Sequence, residues 1–372
     1  LMRGRLLAGF VAVAVLVPSV VLATHTWPDV PDGRFYTVAV EWAQANGMTT
    51  GCDGGTNFCP DRGVSRAENL TYAKRYDDLV VQPALAAIRQ SPDRVVWVAD
   101  DGTGDFLLLS AALDSINDAS ASNPYVVRIA PGEYTETSPV ALKTYVDVEG
   151  SGQGITTITC ACAGADYDAS SATVSAGDIA AEIRHLTINN TGGDSVSIGV
   201  HTEDVVDGTV SMSDVTATGT GGTSYNYGVY NWSSSPSMMN VTATGTGGTY
   251  SYGVYNRSLS SSSPVMTNVT ATGTGGTYSY GVHNNVSSPS MMNVTATATG
   301  GTNNYGVYNY SSSSPSVRSS SFTGDDYSIY NGGASSAQVA DTMLDGTVTA
   351  GGGLTCVGAY DETFSALNAS CS

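Results

Sequence analysis

Charged residues are scarce in this chain of 372 residues, and lysine most of all. Only 13% of the residues are charged, lysine occurs only at Lys74 and Lys143, and the formal net charge is −19. Nucleic-acid affinity depends on lysine and arginine to neutralise phosphates, so we expect no binding to nucleic acid or to anionic membranes. A hydrophobic fraction of 41% with regular β-branched spacing still predicts a folded chain.

Long apolar runs are also missing, apart from one near the start. Two arginines precede an apolar stretch at residues 6–17, which Pro18 interrupts before a small-residue cleavage site. This pattern is typical of a cleaved signal peptide, with an uncleaved anchor as the alternative. We therefore expect removal of residues 1–23, secretion of the protein, and no membrane contact after cleavage.

Cysteine is limited to six residues, and an even number in an exported protein predicts disulfides. No histidine pair accompanies any cysteine pair at zinc spacing, so we expect no metal site. Cys160 and Cys162 are too close in sequence for a relaxed bridge, and their pairing stays open. The spacing predicts two local bridges, Cys52–Cys59 and Cys356–Cys371.

Residues 24–80 carry several helical motifs in a fixed order. The motifs are W-P-D-V (27–30), E-W-A-Q-A-N-G-M-T-T-G-C (41–52), F-C-P-D (58–61) and S-R-A-E (65–68). Together they resemble a surface-layer homology (SLH) repeat, which implies a small α-helical module that binds cell-wall polysaccharide, with Arg66 contacting an anionic sugar group. In the alternative, Arg66 and Glu68 only cap a helix. The family's modules usually occur in sets of three, and a homotrimer of this chain would supply three copies.

Internal repetition dominates the rest of the chain. The glycine of a recurring Y-G-V motif stands at Gly228, Gly253, Gly281 and Gly306, in steps of 25, 28 and 25 residues. Each unit is large enough for two or three short strands and can bury its apolar side only by stacking on the next unit. This predicts a mainly β fold, a single-stranded right-handed parallel β-helix.

We place the domain boundaries by composition. A linker at residues 81–92 leads into the β-helix at residues 93–346, in which repeats of about 25 residues occupy about 182–331. Residues 347–372 are expected to form a terminal cap, helical in part, that the last disulfide holds in place.

Aligned repeats predict three rows of interior side chains. Asp214, Asn240, Asn268 and Asn293 lie between the first two rows, where a left-handed bend and stacked amides are expected. The interior rows are Ile183, Met212, Met238, Met266, Met291 and Val317; Leu186, Val215, Val241, Val269 and Val294; and Val200, Val229, Val254, Val282, Val307 and Ile329.

Two aromatic rows accompany the third interior row. Strand alternation predicts that the row beside the interior valines points outward, and an exposed aromatic strip would suit sugar rings, which stack their apolar faces on aromatic ones. The alternative is an aromatic ladder that only stabilises the coils, and it is favoured because repetition alone would produce such rows. The first row supplies the candidate binding residues Tyr230, Tyr255, His283, Tyr308 and Tyr330, and begins at His201. The second row is Tyr227, Tyr252, Tyr280, Tyr305 and Tyr327.

Amphipathic spacing in the first coils predicts a helix at residues 106–116, with Asp105 as its N-cap. The segments around it are V-A-D-D-G-T-G-D-F (98–106), A-A-L-D-S-I (111–116), R-I-A-P-G-E-Y-T-E (128–136) and E-G-S-G-Q-G-I-T-T-I (149–158). These segments resemble the opening coils of pectin-lyase-like β-helices, and of pectin methylesterases in particular, which implies that the helix plugs the open end of the stack. The catalytic Q-D-T and D-F-I-F-G motifs of the methylesterases are absent.

These patterns favour a secreted or cell-surface protein without catalytic activity. It would bind a polysaccharide or cell-wall glycan, or display a binding surface to it. The alternatives are a pectin esterase-like or polysaccharide lyase-like enzyme, and a structural spacer. No cofactor is expected, except that a lyase would need calcium held by acidic residues beside a basic one. The nearest candidates for such a site are Glu182, Arg184, His185, Asp204 and Asp207.

Overall fold

The computed structural model describes residues 27–30, 37–45, 49–52, 56–63, 66–76, 94–192, 194–206, 209–350 and 353–372. The chain forms two compact units, Leu1–Asp93 and Arg94–Ser372. Within the described ranges, no helix has the length and apolar character needed to cross a bilayer.

The first unit contains two helices, α1 (Thr37–Ala45) and α2 (Arg66–Tyr76). Ser65, the first residue of the S-R-A-E motif, lies outside the described residues. The predicted disulfide Cys52–Cys59 is present and closes the loop between the helices.

The W-P-D-V motif ties this loop to the start of the unit. Trp27 is buried, and its ring centroid lies 5.4 Å from that of Phe58. The carboxylate of Asp29 accepts the backbone N–H groups of Phe58 and Cys59, at 2.9 and 2.5 Å. These contacts hold the F-C-P-D segment against the W-P-D-V motif.

The described residues of the second unit form one α-helix, α3 (Leu109–Ser115), a short 3-10 helix (Ala169–Ser171) and 26 strands whose pairings between coils are all parallel. The strands are β1 (Val95–Val98), β2 (Tyr125–Ile129), β3 (Gly132–Glu136), β4 (Val140–Ala141), β5 (Val146–Glu149), β6 (Thr156–Cys160), β7 (Ala172–Ala176), β8 (Ala181–Asn190), β9 (Val196–Glu203), β10 (Val210–Thr220), β11 (Tyr225–Trp232), β12 (Ser237–Met239), β13 (Thr242–Thr246), β14 (Tyr250–Ser262), β15 (Val265–Thr267), β16 (Thr270–Thr274), β17 (Tyr278–Ser287), β18 (Ser290–Met292), β19 (Thr295–Thr299), β20 (Asn303–Tyr310), β21 (Ser316–Arg318), β22 (Ser321–Asn331), β23 (Ala337–Ala340), β24 (Met343–Ala350), β25 (Leu354–Val357) and β26 (Tyr360–Asp361).

These strands stack into three faces, which confirms the predicted right-handed parallel β-helix. Face A consists of β1, β2, β5, the first halves of β8 and β10, and then β12, β15, β18, β21, β23 and β25. Face B consists of β3, β6, the second halves of β8 and β10, then β13, β16, β19, the first halves of β22 and β24, and β26. Face C consists of β4, β7, β9, β11, β14, β17, β20 and the second halves of β22 and β24.

All three predicted interior rows are confirmed. In the first row Met212 pairs with Ile183 on one side and with Met238 on the other, and the same register continues to Val317. Every member of the three rows is at most 1% exposed. Because equivalent residues stack at about 4.8 Å, one apolar position in the repeat becomes a continuous apolar column.

The helix α3 closes the N-terminal end of this interior. Leu109, Ala112 and Leu113 are buried in the same core as the interior rows, as predicted. Asp105 does not cap the helix, and the prediction of an N-cap there was wrong. Its carboxylate instead accepts the backbone N–H of Trp97 at 2.9 Å, and Leu108 occupies the N-cap position without a side-chain hydrogen bond.

Two asparagine ladders run along the coils. The predicted corner ladder is confirmed: Asp214, Asn240, Asn268 and Asn293 all have φ between 53° and 55°, and each amide donates to the preceding side chain at 2.8–3.0 Å. A second, buried ladder on face C was not predicted. It consists of Asn231, Asn256, Asn284, Asn309 and Asn331, whose side chains hydrogen-bond in series at 2.7–2.8 Å.

The solenoid continues past residue 346, because β24 extends to Ala350 and β25 and β26 begin a further coil. The predicted disulfide Cys356–Cys371 joins β25 to the terminal loop. Cys160 and Cys162, whose pairing stayed open, also form a disulfide.

We expect the buried ladder to stabilise the β-helix more than the corner ladder does. Asn256→Ala leaves the Asn231 amide and the Asn284 carbonyl without a partner in a buried site, at a cost of about 1–3 kcal/mol for each lost bond. Asn268→Gly is the matched control, since glycine tolerates its positive φ and its amide partners remain exposed to water. Thermal unfolding followed by circular dichroism should show a clearly larger decrease in Tm for N256A; equal decreases would contradict this assignment.

Candidate functional site

The first coils of face A carry one outward column of large polar and aromatic side chains. Val98, Val127, Val148 and Ile183 point into the core, so strand alternation turns the preceding or following residues outward. The ladder register then places Trp97, Arg128, Glu149 and Arg184 one above the other. We call this column, together with Asp147, Glu182 and His185, the charged cleft.

Ion pairs connect the column across coils. Glu149 Oε2 lies 3.3 Å from Arg128 Nε and 3.2 Å from Arg184 Nη2. The other guanidinium nitrogen of Arg184 contacts Glu182, and Ser213 Oγ donates to that carboxylate at 2.9 Å. Burial lowers the pKa of Arg184, but the negative charges of Glu182 and Glu149 raise it by more. The pKa of the guanidinium therefore lies above its ordinary value.

Asp147 lies two residues before Glu149 on β5, and therefore on the same outer side. Its Oδ1 accepts the backbone N–H of Glu182 at 2.9 Å. Burial raises the pKa of Asp147, while the Glu182 N–H and the charge of Arg184 act in the opposite direction. The two carboxyl groups of β5 thus occupy different environments, one desolvated and one held between two guanidinium groups.

Within the charged cleft lies a cavity of about 500 Å³, lined by Trp97, Arg128, Ile129, Glu149, Gly150, Ser151, Gly152 and His185. Trp97 is 48% exposed, and the Arg128 guanidinium lies 5.8 Å from its ring centroid. Gly150 is required at the base, because a Cβ there would lie 2.3 Å from the carbonyl oxygen of His185. The cleft therefore combines an accessible indole ring with closely spaced hydrogen-bonding groups.

Among the described residues, only three of the five suggested for a lyase site lie close to one another. Glu182, Arg184 and His185 lie on or beside face A, where His185 Nδ1 is 3.6 Å from Asp214 Oδ2. Asp204 follows β9 on face C, where its N–H donates to the carbonyl oxygen of Trp232 at 3.0 Å. Asp207 lies outside the described residues. In the part of the chain that the structure describes, no group of three histidine, cysteine or acidic residues has the arrangement of a metal site.

The two aromatic rows lie together on the outer side of face C, in a cluster separate from the core. Alternation would place Tyr227 inward with Val229, but Gly228 is skipped in the ladder register between them. A Cβ at Gly228 would lie 2.3 Å from the backbone N of Thr244 on face B. The interior has no room for a side chain there, so the strand turns both Tyr227 and Tyr230 outward.

The rings of these rows stack on one another and form the aromatic ladder that was the alternative prediction. Tyr227 and Tyr252 have ring centroids 4.7 Å apart and nearly parallel planes, and Tyr252 and Tyr280 are 4.8 Å apart. A sugar ring needs a free aromatic face, and here the faces contact neighbouring rings.

The expected exposure of the candidate binding residues is therefore wrong for three of them: Tyr230 is 0%, Tyr255 8% and His283 9% exposed. Tyr308 and Tyr330 are half-buried and stack on each other at 5.0 Å. Arg66 is the first residue of α2.

The pectinesterase family model matches residues 95–230. A search of curated proteins finds no match.

Similar solved structures include a pectin methylesterase from carrot, with 16% identity, 72% of this chain and 80% of that chain covered, and a TM-score of 0.40. Pectin methylesterase PemA from Erwinia chrysanthemi is 12% identical, with 75% and 91% covered and a TM-score of 0.35. ORF18 of Geobacillus virus E2 is 11% identical, with 77% and 63% covered and a TM-score of 0.39.

Residues 95–230 contain every residue of the charged cleft, whereas the SLH-like segment 24–80 lies outside the match. Trp97, Arg128 and Glu149 were not among the predicted site residues. Alternation alone identifies Trp97 as an outward tryptophan in an otherwise apolar strand. No sequence pattern shows that Arg128 and Glu149 meet, because they come from different coils.

Two histidines interrupt the aromatic ladder and make its stability depend on pH. Among the described residues, His201 Nε2 and both ring nitrogens of His283 are buried without a hydrogen-bond partner. Burial lowers the pKa of His201 to about 4 and that of His283 to about 3, although Asp168 acts in the opposite direction on His201. Both rings are therefore neutral in the folded protein at neutral pH.

We expect the free energy of unfolding to decrease as the pH falls from 6.5 towards 4, since the unfolded chain then binds protons that the folded chain excludes. In this window each histidine lowers the free energy of unfolding by about 1.4 kcal/mol for each unit by which the pH falls. His283→Tyr is the test variant, because Tyr255 and Tyr308 occupy the same position in the adjacent coils. Denaturant unfolding at pH 7 and pH 5 should show a smaller difference for H283Y than for the wild type. An unchanged difference would contradict the assignment.

Proposed function

We propose that this chain is a carbohydrate-active β-helix protein whose polysaccharide ligand lies in the charged cleft. The observation that carries the proposal is the pectinesterase match over residues 95–230, which contain the whole cleft. The match favours the enzyme alternative of the sequence analysis and gives no support to non-catalytic binding, which was the main prediction.

The chemistry of the cleft fits a sugar chain. Trp97 is half-exposed and offers its indole face to the apolar side of a pyranose ring. Arg128, Glu149 and His185 line the same cavity and supply donors and acceptors for hydroxyl groups. A few polar groups beside an aromatic surface are typical of small-molecule binding sites.

The negative charge of the protein favours an uncharged polysaccharide, or an acidic one whose carboxyl groups are esterified, over a polyanionic ligand. The net charge of −19 repels a polyanion. Arg128 and Arg184 do not offset this locally, because both are ion-paired with Glu149 and Arg184 also with Glu182. A polyuronate whose carboxyl groups are methyl esters is neutral, and hydrolysis makes it an anion that this surface repels.

Ester hydrolysis at this site would use the two carboxyl groups of β5. Residues two apart on a strand have Cα atoms about 6.6 Å apart, which leaves room for a water molecule between their side chains. Glu149, held by two arginines, accepts a proton from the water that attacks the ester carbonyl carbon. Asp147, whose pKa is raised by burial, donates its proton to the departing alkoxide oxygen. The products are an alcohol and a carboxylic acid, which loses its proton to solvent to become the carboxylate. The proton gained by Glu149 and the proton lost by Asp147 are exchanged through solvent, which restores both protonation states.

Secretion through a signal peptide at residues 1–23, and association with the cell wall through the SLH-like module and Arg66, belong to the same proposal. They are supported by the sequence motifs described above. Binding without turnover, and a purely structural role, are the outcomes that the experiments below would reveal.

We expect Trp97→Ala to weaken binding to a highly methylated pectin by about tenfold, since an aromatic contact of about 1.4 kcal/mol corresponds to that factor in Kd. Phe364→Ala is the control, because Phe364 is 80% exposed but lies beyond the matched segment. Binding is measured by calorimetry or affinity electrophoresis. De-esterified pectin should bind more weakly than the methylated form. Equal affinities of W97A and wild type for methylated pectin would contradict the proposal that the polysaccharide binds in the charged cleft.

Asp147→Asn should reduce the rate of methanol release from methylated pectin by about 100-fold or more, which is the usual contribution of a positioned general acid. Its Kd for the polysaccharide should remain near the wild-type value, because the amide keeps the size of the carboxyl group. Asp178→Asn, in an exposed bend, is the control. If wild-type protein binds methylated pectin but releases no methanol, the protein is a binding protein; if it neither binds nor releases, the structural role is supported.

A further inference from the structure

Face B presents threonine at alternate positions in four successive coils. The sequence T-A-T-G-T, or T-A-T-A-T, recurs in β10, β13, β16 and β19, and its alanines are fully buried. The threonines point outward and are half-exposed or exposed. We call this surface the threonine face. Its in-register columns are Thr216, Thr242, Thr270 and Thr295; Thr218, Thr244, Thr272, Thr297 and Thr323; and Thr220, Thr246, Thr274 and Thr299.

The columns form a two-dimensional grid with two fixed spacings. Equivalent threonines in adjacent coils are about 4.8 Å apart, and alternate threonines along a strand are about 6.6 Å apart. The backbone ladder holds both spacings, and β-branching restricts each side chain at χ1. The hydroxyl and methyl groups are therefore ordered before any ligand arrives, which lowers the entropic cost of binding a rigid surface.

One hydroxyl group of this grid takes part in the hydrogen bonding of the fold: that of Thr220, which donates to the carbonyl oxygen of Asn190 at 3.2 Å. The other described hydroxyl groups of the grid make no hydrogen bond within the protein. The strand segments that form the four complete rows contain no charged residue. A ligand for this face must thus accept or donate hydrogen bonds, tolerate interspersed methyl groups, and itself be periodic in two dimensions.

We propose that the threonine face binds ice. Crystalline water repeats in two dimensions with oxygen spacings close to those of the grid, and each oxygen both donates and accepts hydrogen bonds. A single polysaccharide chain is periodic in one dimension only and leaves the second spacing without a function. The threonine face and the charged cleft lie on different faces of the β-helix, so the two proposals stand or fall independently.

The test uses the full chain in a partition experiment, in which a single ice crystal grows slowly from a dilute solution of the protein. A protein that adsorbs to ice is enriched in the crystal, whereas an inert protein is excluded from it. Thr272→Tyr places a large ring at the centre of the grid and should prevent contact across several coils. Thr267→Tyr makes the same change on face A and is the matched control.

We expect wild type and T267Y to be enriched in the ice and T272Y to be excluded. Ice-recrystallisation assays should show the same loss for T272Y. Circular dichroism verifies that each variant is folded, and Thr244→Tyr, one coil away, replaces T272Y if that variant is not. Exclusion of folded wild-type protein from ice, or enrichment of folded T272Y to the wild-type level, would overturn the proposal.

Discussion

Parallel stacking of coils in strict register is the constraint on which the rest of this structure depends. Each backbone hydrogen bond between coils places a residue above its counterpart one repeat earlier. A single position in the repeat then defines a column along the solenoid. Apolar positions become the core, asparagine positions become hydrogen-bonded ladders, tyrosine positions become a stack of rings, and threonine positions become a grid.

The register also explains how a narrow coil can contain buried amides. Each inner asparagine of the buried ladder donates a hydrogen bond to one neighbour and accepts one from the other. These hydrogen bonds offset the free energy that is needed to remove each amide from water. The same arrangement makes the ladder cooperative, because the loss of one member leaves two others without partners. Among the described residues, His201 Nε2 and both ring nitrogens of His283 have no such partner, and burial lowers the pKa of both histidines.

The three faces differ in chemistry because only the outward positions vary freely. Charge is concentrated at the N-terminal coils of face A, where the repeats are least regular and Trp97, Glu149 and Arg184 form the cleft. Face B is uncharged over its regular rows, and face C is aromatic. One scaffold can thus present several surfaces without any change in its core, and we assign different ligands to two of them.

Repetition in the sequence is sufficient to predict the parallel β-helix, the three interior rows and the corner asparagine ladder, and cysteine spacing predicts two of the three disulfides. The remaining features depend on contacts between coils that no local pattern shows. Gly228 reverses the expected direction of Tyr227 because the interior is too narrow there, a fact that depends on Thr244 of another strand. Arg128, Glu149 and Arg184 meet only because three coils stack, and the positions of such irregular residues follow from the register rather than from any local pattern.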